Sequence, residues 1–225
     1  MWSPDGSYII YRAFGGAGAY DLYQKPVSGE KKEEVLLKSD QDKTPTSLSH
    51  DGRFLLYTAE DPKTKGDLWV LPLEGDHTPT LFTGTEFNEQ SGQFSPNMRW
   101  IAYVSNETGS NEIYVRPFSP GSTGPTSEAG GKWMVSKGGG NSPRWRADSK
   151  ELFYRDPDGT VISVEVMSGP AFRSATPRTL FQTPYAPFGY DVSGDGKRFL
   201  FATRAELGTP SPFTIVLNWQ AGLKK

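Results

Sequence analysis

Two histidines are the only residues of their type in this 225-residue chain, and they lie far apart in the sequence, at His50 and His77. His50 occupies a short turn motif, and His77 follows Asp76 in a polar segment. The chain contains no cysteine. Because a zinc site needs three or four closely placed His, Cys or carboxylate ligands, this pattern predicts no transition-metal site, no disulfide bond and no thiol catalysis.

Other short motifs that could carry chemistry are incomplete. A G-x-S-x-G nucleophile elbow does not occur in the sequence. The glycine-rich residues 15–18 lack the third glycine, the preceding strand and the following helix of a dinucleotide-binding loop. Asp156 and Asp158 lie in a D-P-D-G segment, whose spacing fits a tight hairpin turn better than a calcium loop, which needs more oxygen ligands. The sequence therefore predicts neither catalysis by this chain nor a bound cofactor.

Charge and hydropathy exclude two further classes of protein. The chain has 24 Lys and Arg against 26 Asp and Glu, without a basic stripe, so we predict no nucleic-acid partner. No run of about 18 apolar residues occurs, and we expect no membrane contact by this segment. The 25 glycines and 18 prolines punctuate short aromatic and β-branched runs, which indicates an all-β fold.

A turn motif, S-P-D-G or a variant of it, recurs five times. Its third residue is spaced by 46, 46, 51 and 47 residues along the chain, at Asp5, Asp51, Asn97, Asp148 and Asp195. In each copy a short strand enters the turn, an alternating strand leaves it, and further strands follow. A period in the forties with four strands per unit is typical of a β-propeller.

We therefore predict one β-propeller domain over residues 1–225, with five repeats of four-stranded antiparallel blades that start near residues 2, 44, 90, 142 and 189. The strand before Trp2 and the last strand of the fifth repeat are not recognisable, so the terminal blades are expected to be incomplete. Two arrangements stay open. The chain forms either an open arc from a larger propeller, which the sequence favours, or a closed five-bladed ring.

The last residue of the turn motif predicts local strain. Gly6, Gly52 and Gly196 accept a positive φ without steric cost. The third and fourth repeats have Met98 and Ser149 at this place. These two turns are expected to be either strained or differently shaped.

The pattern W-S-P-D-G…I-x-Y…D-L-Y/W-V…P resembles the TolB-like, WD-repeat-like β-propeller repeat family of bacteria over about residues 2–219. The closing segment PFTIVLNWQAGLKK is similar to the C-terminal end of bacterial transmembrane serine/threonine protein kinases that carry such a propeller. The resemblance implies a non-catalytic sensor or scaffold module that binds protein, in the C-terminal part of a larger bacterial protein. If the kinase similarity holds, it also implies a location on the periplasmic side. The alternatives are a propeller that gates a prolyl-oligopeptidase-type hydrolase and a carbohydrate-binding or lyase propeller.

Candidate contact residues lie in the loops between the second and third strands and in the loops that link the repeats. A propeller carries both sets on one face. Exposed aromatic side chains near arginine and asparagine are typical of protein-contact hot spots, and the alternative is that the aromatics fold back as loop plugs. The predicted residues for a protein or peptide partner are Phe14, Tyr20, Phe87, Asn88, Asn106, Tyr185, Phe188 and Arg204.

Overall fold

The computed structural model describes residues 1–15, 18–29, 32–120, 131–183 and 189–202. Within these ranges the chain forms strands, turns and bends, and no helix. The strands form five sheets that follow one another along the chain, and every strand pairing is antiparallel. The predicted all-β class and the predicted four-stranded antiparallel units are therefore confirmed.

We call the five sheets blades 1 to 5 in chain order. Blade 1 has the strands β1 (Tyr8–Phe14), β2 (Tyr20–Pro26) and β3 (Glu34–Leu37). Blade 2 has β4 (Lys43–Leu48), β5 (Phe54–Asp61), β6 (Lys65–Pro72) and β7 (Thr80–Thr83). Blade 3 has β8 (Glu89–Phe94), β9 (Trp100–Ser105), β10 (Glu112–Pro117) and β11 (Trp133–Met134). Blade 4 has β12 (Asn141–Trp145), β13 (Glu151–Arg155), β14 (Thr160–Glu165) and β15 (Arg178–Gln182), and the described part of blade 5 has β16 (Gly189–Val192) and β17 (Phe199–Ala202).

The blades stack side by side around a common axis. Within each blade the spatial order of the strands follows the chain order. The first strands lie nearest the axis, since β4 contacts β8, β8 contacts β12 and β12 contacts β16. The ends of these strands and the residues around Trp2 of blade 1 line one cavity. This is the arrangement of a propeller.

Alternating side chains hold neighbouring blades together. In blade 2, Leu55 and Tyr57 join a buried cluster with Ile10 of blade 1, whereas Leu56 joins a cluster with Ile101 of blade 3. The alternation follows from the two-residue period of a strand. Each fully buried leucine contributes roughly 1.5–3 kcal/mol, and a single blade cannot cover both of its faces, so the stacking stabilises every blade.

Trp2, the apolar residue that precedes the first turn, lies outside this core. Its equivalents Phe94 and Trp145 are buried, whereas Trp2 is 64% exposed. Trp2 pairs with β1 through a single bridge to Ile9 and lines the axial cavity. Within the described ranges no strand covers the indole as neighbouring strands cover Phe94 and Trp145.

The five turns share one geometry. In each turn the Asp or Asn side chain accepts a hydrogen bond of 3.0–3.1 Å from the backbone N–H two residues later. The residue that directly follows the Asp or Asn has a φ between 59° and 74° in all five copies, including Met98 and Ser149. The predicted strain at these two residues is confirmed, and the alternative of a differently shaped turn is wrong. A positive φ costs a non-glycine residue roughly 1–2 kcal/mol.

These turns lie at one end of the blades, which we call the turn face. The opposite end, the loop face, carries the hairpin loops β1–β2, β5–β6, β9–β10 and β13–β14 and the loops that link blades. Two carboxylates shape it: Asp21 accepts a hydrogen bond from the Ser39 N–H at 3.2 Å, and Glu112 accepts two, at 3.0 and 2.9 Å, from the N–H groups of Gly138 and Gly139. Each carboxylate fixes the loop that leads into the next blade.

Candidate functional site

Two exposed aromatic rings stand together on the loop face of blade 1. Phe14 ends β1, Tyr20 begins β2, and the two residues face each other across the hairpin. Their ring centroids lie 5.5 Å apart in an edge-to-face arrangement. Phe14 is 67% exposed and Tyr20 is 37% exposed. The structure therefore brings these two predicted residues together at the surface, and the loop-plug alternative is wrong for Phe14.

Arg12 completes this group, which we call the aromatic–arginine cluster (Arg12, Phe14 and Tyr20). Its guanidinium lies 4.8 Å from the centroid of the Tyr20 ring, within the range of a cation–π contact. It also donates a hydrogen bond to Thr44 Oγ1 at 2.7 Å, and the backbone N–H of Tyr20 donates to Asp42 Oδ1 at 2.8 Å. Blade 2 thus fixes the exposed cluster of blade 1 in place.

A buried ion pair supports the cluster from below. Lys43 Nζ lies 3.0 Å from Asp21 Oδ1, and both side chains are almost fully buried. The ammonium also donates to the carbonyl oxygen of Gln41 at 2.6 Å. Removal of one partner from such a pair leaves an uncompensated charge and costs about 3–5 kcal/mol. The pair therefore locks blades 1 and 2 together beneath the cluster.

Three further predicted residues lie on the loop face of blade 3. Asn88 donates its backbone N–H to Asn106 Oδ1 at 2.8 Å, and its own Oδ1 accepts the Gly66 N–H at 3.1 Å. Phe87, Asn88 and Asn106 are all half-buried. The two asparagines therefore fasten neighbouring loops to each other. Contact of these three residues with a partner stays a prediction.

Glu89 anchors the same loop from inside. Its carboxylate accepts hydrogen bonds from the Thr85 N–H at 3.2 Å and from Thr85 Oγ1 at 2.6 Å. The side chain is fully buried, and burial raises the pKa of Glu89 above its usual value. Hydrogen bonds between Thr85 and Glu89 thus fix the loop that carries Phe87.

A polar cavity of about 350 Å³ lies between blades 2 and 3 on the loop face. Its walls include Thr58, Glu60, Lys65, Asn88 and Gln90. Thr58 pairs with Thr44, which accepts the hydrogen bond from Arg12. Carboxylate, ammonium and amide groups in this cavity can donate and accept hydrogen bonds.

Two other cavities differ in character. The axial cavity, about 290 Å³, lies at the turn face and has walls from all five blades, among them Trp2, Trp145 and Arg144. The other, about 660 Å³, lies beside the turn of blade 4, where Arg146 is already paired with Asp148 and Glu151. Neither contains a residue that the sequence predicted as a contact.

The sequence predicted part of the loop-face site and missed other parts. The structure joins Phe14 with Tyr20 and Asn88 with Asn106. Tyr185, Phe188 and Arg204 lie outside the described residues. Arg12 was not predicted as a contact residue, although it lies two residues before Phe14 and therefore on the same face of β1. Asp42 and Thr44 had no local signal, since their contacts depend on how blade 2 packs on blade 1.

The described ranges lack a membrane-spanning helix and a cluster of metal ligands. No helix there is long and apolar enough to cross a membrane. No three His, Cys, Asp or Glu side chains within those ranges are grouped so that they could hold a metal ion.

Comparison with known proteins supports the fold. No protein-family model matches the chain, and no curated protein matches its sequence. Among solved structures, TolB from Acinetobacter baumannii is similar with a TM-score of 0.67 and 19% identity, over 91% of this chain and 48% of that one. A putative TolB from Agrobacterium tumefaciens has a TM-score of 0.61 and 17% identity, over 80% and 65% of the two chains. A nidogen/laminin complex contains a chain with a TM-score of 0.58 and 12% identity, over 87% and 67%.

These likenesses show a β-propeller fold. The chain spans about half to two thirds of the length of the two TolB chains. The predicted propeller fold is confirmed. The similarity to propeller-bearing kinases stays a prediction.

Proposed function

We propose that this chain is a non-catalytic propeller module that binds a protein partner on its loop face. The observation that carries the proposal is the exposed, fixed aromatic–arginine cluster of Arg12, Phe14 and Tyr20. Aromatic and arginine side chains dominate the hot spots of protein interfaces. Side chains that are already held lose little conformational entropy on binding, and blade 2 holds Arg12 and Tyr20 through Thr44 and Asp42.

The surroundings of the cluster favour a protein over a small molecule. The two aromatic rings of the cluster are exposed and line none of the three cavities described above, whereas small-molecule sites are concave and mostly apolar. A hydrogen-bonding rim around an aromatic centre is the usual anatomy of a protein interface. The nidogen/laminin complex is an example of a similar fold in a protein complex.

The absence of catalysis is part of the proposal. The sequence has no cysteine and no nucleophile elbow. His50 lies in the turn of blade 2 beside the axial cavity, and His77 lies in the loop after β6. Neither histidine is near the cluster. We further propose that the module is a sensor or scaffold part of a larger bacterial protein, such as a receptor-like kinase.

Site-specific photo-cross-linking tests the proposed interface. A benzoylphenylalanine at position 14 replaces one aromatic ring by another and is expected to cross-link a protein from extract of the source organism. The same group at position 35 is the control, because Val35 is 54% exposed on β3 of the same blade. We expect the position-14 product to be absent from the control.

Competition gives the quantitative readout. Unlabelled wild-type protein should suppress the cross-link at position 14. The double variant Phe14→Ala, Tyr20→Ala should compete at least about 30-fold less well, since loss of a hot spot costs 2 kcal/mol or more. Equal competition by the double variant, or identical products from positions 14 and 35, would refute the proposed interface.

A further inference from the structure

The junction between blades 1 and 2 holds a buried positive charge. The ammonium of Lys43 lies 3.0 Å from Asp21 Oδ1. It also donates to the carbonyl oxygens of Gln41 at 2.6 Å and of Ser39 at 3.4 Å. Because water is excluded from this place, these three oxygen atoms stabilise the charge in its stead.

The repeat puts two carboxylates at the same positions between blades 2 and 3. Each of the four residues has an equivalent 46 residues later, which is the spacing of the first three turns. The strand register agrees, because Lys43 pairs with Ala59 as Glu89 pairs with Ser105. A negative side chain therefore stands where the first junction has a positive one. The equivalents are Asp67 for Asp21, Thr85 for Ser39, Phe87 for Gln41 and Glu89 for Lys43.

Both carboxylates border the loop that leads into blade 3. A Cβ on Gly84 would lie 3.1 Å from Asp67 Oδ1. The next residue, Thr85, donates its N–H and its hydroxyl hydrogen to Glu89 at 3.2 and 2.6 Å. Thr64 Oγ1 donates to Asp67 Oδ2 at 2.7 Å. Adjacent residues of one short loop thus lie against both acidic side chains.

One oxygen atom of these two carboxylates is buried without a partner. Asp67 is 9% exposed and Glu89 is fully buried, and Asp67 Oδ1 accepts no hydrogen bond from the part of the chain that the structure describes. Burial raises the pKa of Asp67, and burial together with the charge of Asp67 raises the pKa of Glu89. Lys132 lowers the pKa of Glu89, but its ammonium is already paired with Glu107. The two ionised side chains therefore need a further positive charge at this place.

The neighbouring junctions satisfy the equivalent carboxylate in other ways. At the first junction Asp21 Oδ2 has no hydrogen-bond partner, but the Lys43 ammonium balances the charge. At the third junction Glu112 accepts two backbone N–H groups of the next loop. The strand register there makes Gly140, which has no side chain, the equivalent of Glu89. Of these three junctions, the second alone combines two carboxylates with an unpartnered oxygen.

We propose that the junction between blades 2 and 3 binds Ca²⁺, which Asp67 and Glu89 hold in the place that the Lys43 ammonium takes between blades 1 and 2. The two carboxylates balance the double charge of the ion. The hydroxyl oxygen of Thr85 and the backbone carbonyl oxygens at positions 85 and 87, the equivalents of those that bind the ammonium, supply further ligands. Ca²⁺ takes six to eight oxygen ligands of these kinds.

The ligand set favours Ca²⁺ over other cations. No three His, Cys, Asp or Glu side chains in the described ranges form a metal cluster, and transition metals prefer nitrogen and sulfur ligands. Mg²⁺ keeps several water molecules in a near-octahedral shell, which a place buried between two blades does not accommodate. A monovalent cation would leave one buried negative charge unbalanced. The bound ion would fix the loop that carries Phe87 without any contribution from the proposed protein partner.

A calcium titration of the whole chain tests the site. The chain is first treated with a chelator, and CaCl₂ is then added up to about 10 mM at constant ionic strength. Calorimetry should give a Kd of about 0.1–1 mM, the weak end of the range for calcium sites. The melting temperature should rise with CaCl₂ concentration, because the ion binds only the folded chain. MgCl₂ should bind at least about tenfold more weakly.

Three variants locate the ion. Asp67→Asn removes one charge and keeps the shape, so Ca²⁺ should bind at least about tenfold more weakly. Glu74→Gln is the matched control, because Glu74 is an exposed carboxylate at the turn-face end of the same blade, and its Kd should stay within about threefold of the wild type. Glu89→Lys supplies the ammonium of the first junction. It should abolish the response to CaCl₂ and raise the melting temperature of the chelator-treated chain.

Circular dichroism checks that each variant folds, and Asp67→Asn decides the matter if Glu89→Lys does not fold. Three results would overturn the inference: no heat and no rise in melting temperature up to 10 mM CaCl₂, equal affinities of the wild type and Asp67→Asn for Ca²⁺, or equal affinities of the wild type for Mg²⁺ and Ca²⁺. In the first case, a melting temperature that rises as the pH falls from 7 to 5 would show that the two carboxyls share a proton instead.

Discussion

At the residue scale, one backbone angle decides which side chains the turns tolerate. Gly52 has a φ of 74°, and a Cβ there would meet only two atoms, both 3.9 Å away. The change Gly52→Val therefore acts through the backbone and not through a clash. We expect the free energy of unfolding, measured by urea denaturation, to fall by roughly 1–2 kcal/mol.

Gly189 offers the matched control for this prediction. It begins β16, its φ is outside the left-handed region, and no atom would lie within 4 Å of its Cβ. Gly189→Val should leave stability unchanged or raise it slightly, because valine favours a strand. The reverse change at a strained turn, Met98→Gly, should be neutral or stabilising. Equal losses from the two valine substitutions would contradict the role of φ.

Local chemistry explains which residues the sequence could predict. The turn residue Asp51 and its equivalents bond within their own turn, so their pattern is visible in five successive residues. The Phe14–Tyr20 pair was predicted as two separate exposed aromatics, because both lie in a hairpin loop region. Its anchors Asp42 and Thr44 belong to the next blade. Asp42 and Thr44 contact the cluster only because blade 2 packs on blade 1. No spacing in the sequence indicates these contacts.

At the element scale, the turns respond to acid. Hydrogen bonds from Ser3 to Asp5 and from Ser193 to Asp195, together with backbone N–H groups, lower the pKa of each carboxyl. The folded-state pKa therefore lies below the unfolded value of about 3.9. The stability from these carboxylates is fully present above about pH 4 and is lost as the pH falls through the folded-state pKa.

The double variant Asp5→Asn, Asp195→Asn tests this sign. Asn97 occupies the equivalent place in blade 3 and accepts the same backbone hydrogen bond, so the variant keeps the turn. We expect its melting temperature to fall less than that of the wild type between about pH 5 and pH 3. If the melting temperatures of the variant and the wild type fall by the same amount over that range, these carboxylates do not contribute to the acid sensitivity.

Elements with a local signal were predicted, and contacts between elements were not. The outermost strands β3, β7, β11 and β15 are short runs with apolar residues, which is a local signal of a strand, and the structure contains all four. Asp21 and Glu112 lie at the start of β2 and β10, and no local motif marks them as acceptors. Their acceptor function depends on loops 18 to 27 residues later in the chain. Such pairs become neighbours only when the blade has formed.

At the scale of the whole molecule, the repeat creates its own interfaces. The face that blade 2 turns towards blade 1 contains Leu55, Tyr57 and Ala59, all buried. In blade 1 the equivalents of Leu55 and Tyr57 are Ile9 and Tyr11, because Trp2 pairs with Ile9 as Leu48 pairs with Leu55. Both are half-buried, and Tyr11 stacks on Tyr23 with ring centroids 5.9 Å apart. This outer face of blade 1 therefore has the composition of a blade interface.

The open arc and the closed ring make opposite predictions for this face. In an arc, the face of Ile9 and Tyr11 is available, and apolar sheet faces of this kind associate. We expect small-angle scattering and sedimentation to show a mass that rises with protein concentration. The change Ile9→Lys should suppress this rise, whereas Val27→Lys, at an exposed site after β2, should not. A wild-type chain that stays a compact monomer at every concentration would instead establish the ring, because closure buries the face within one molecule.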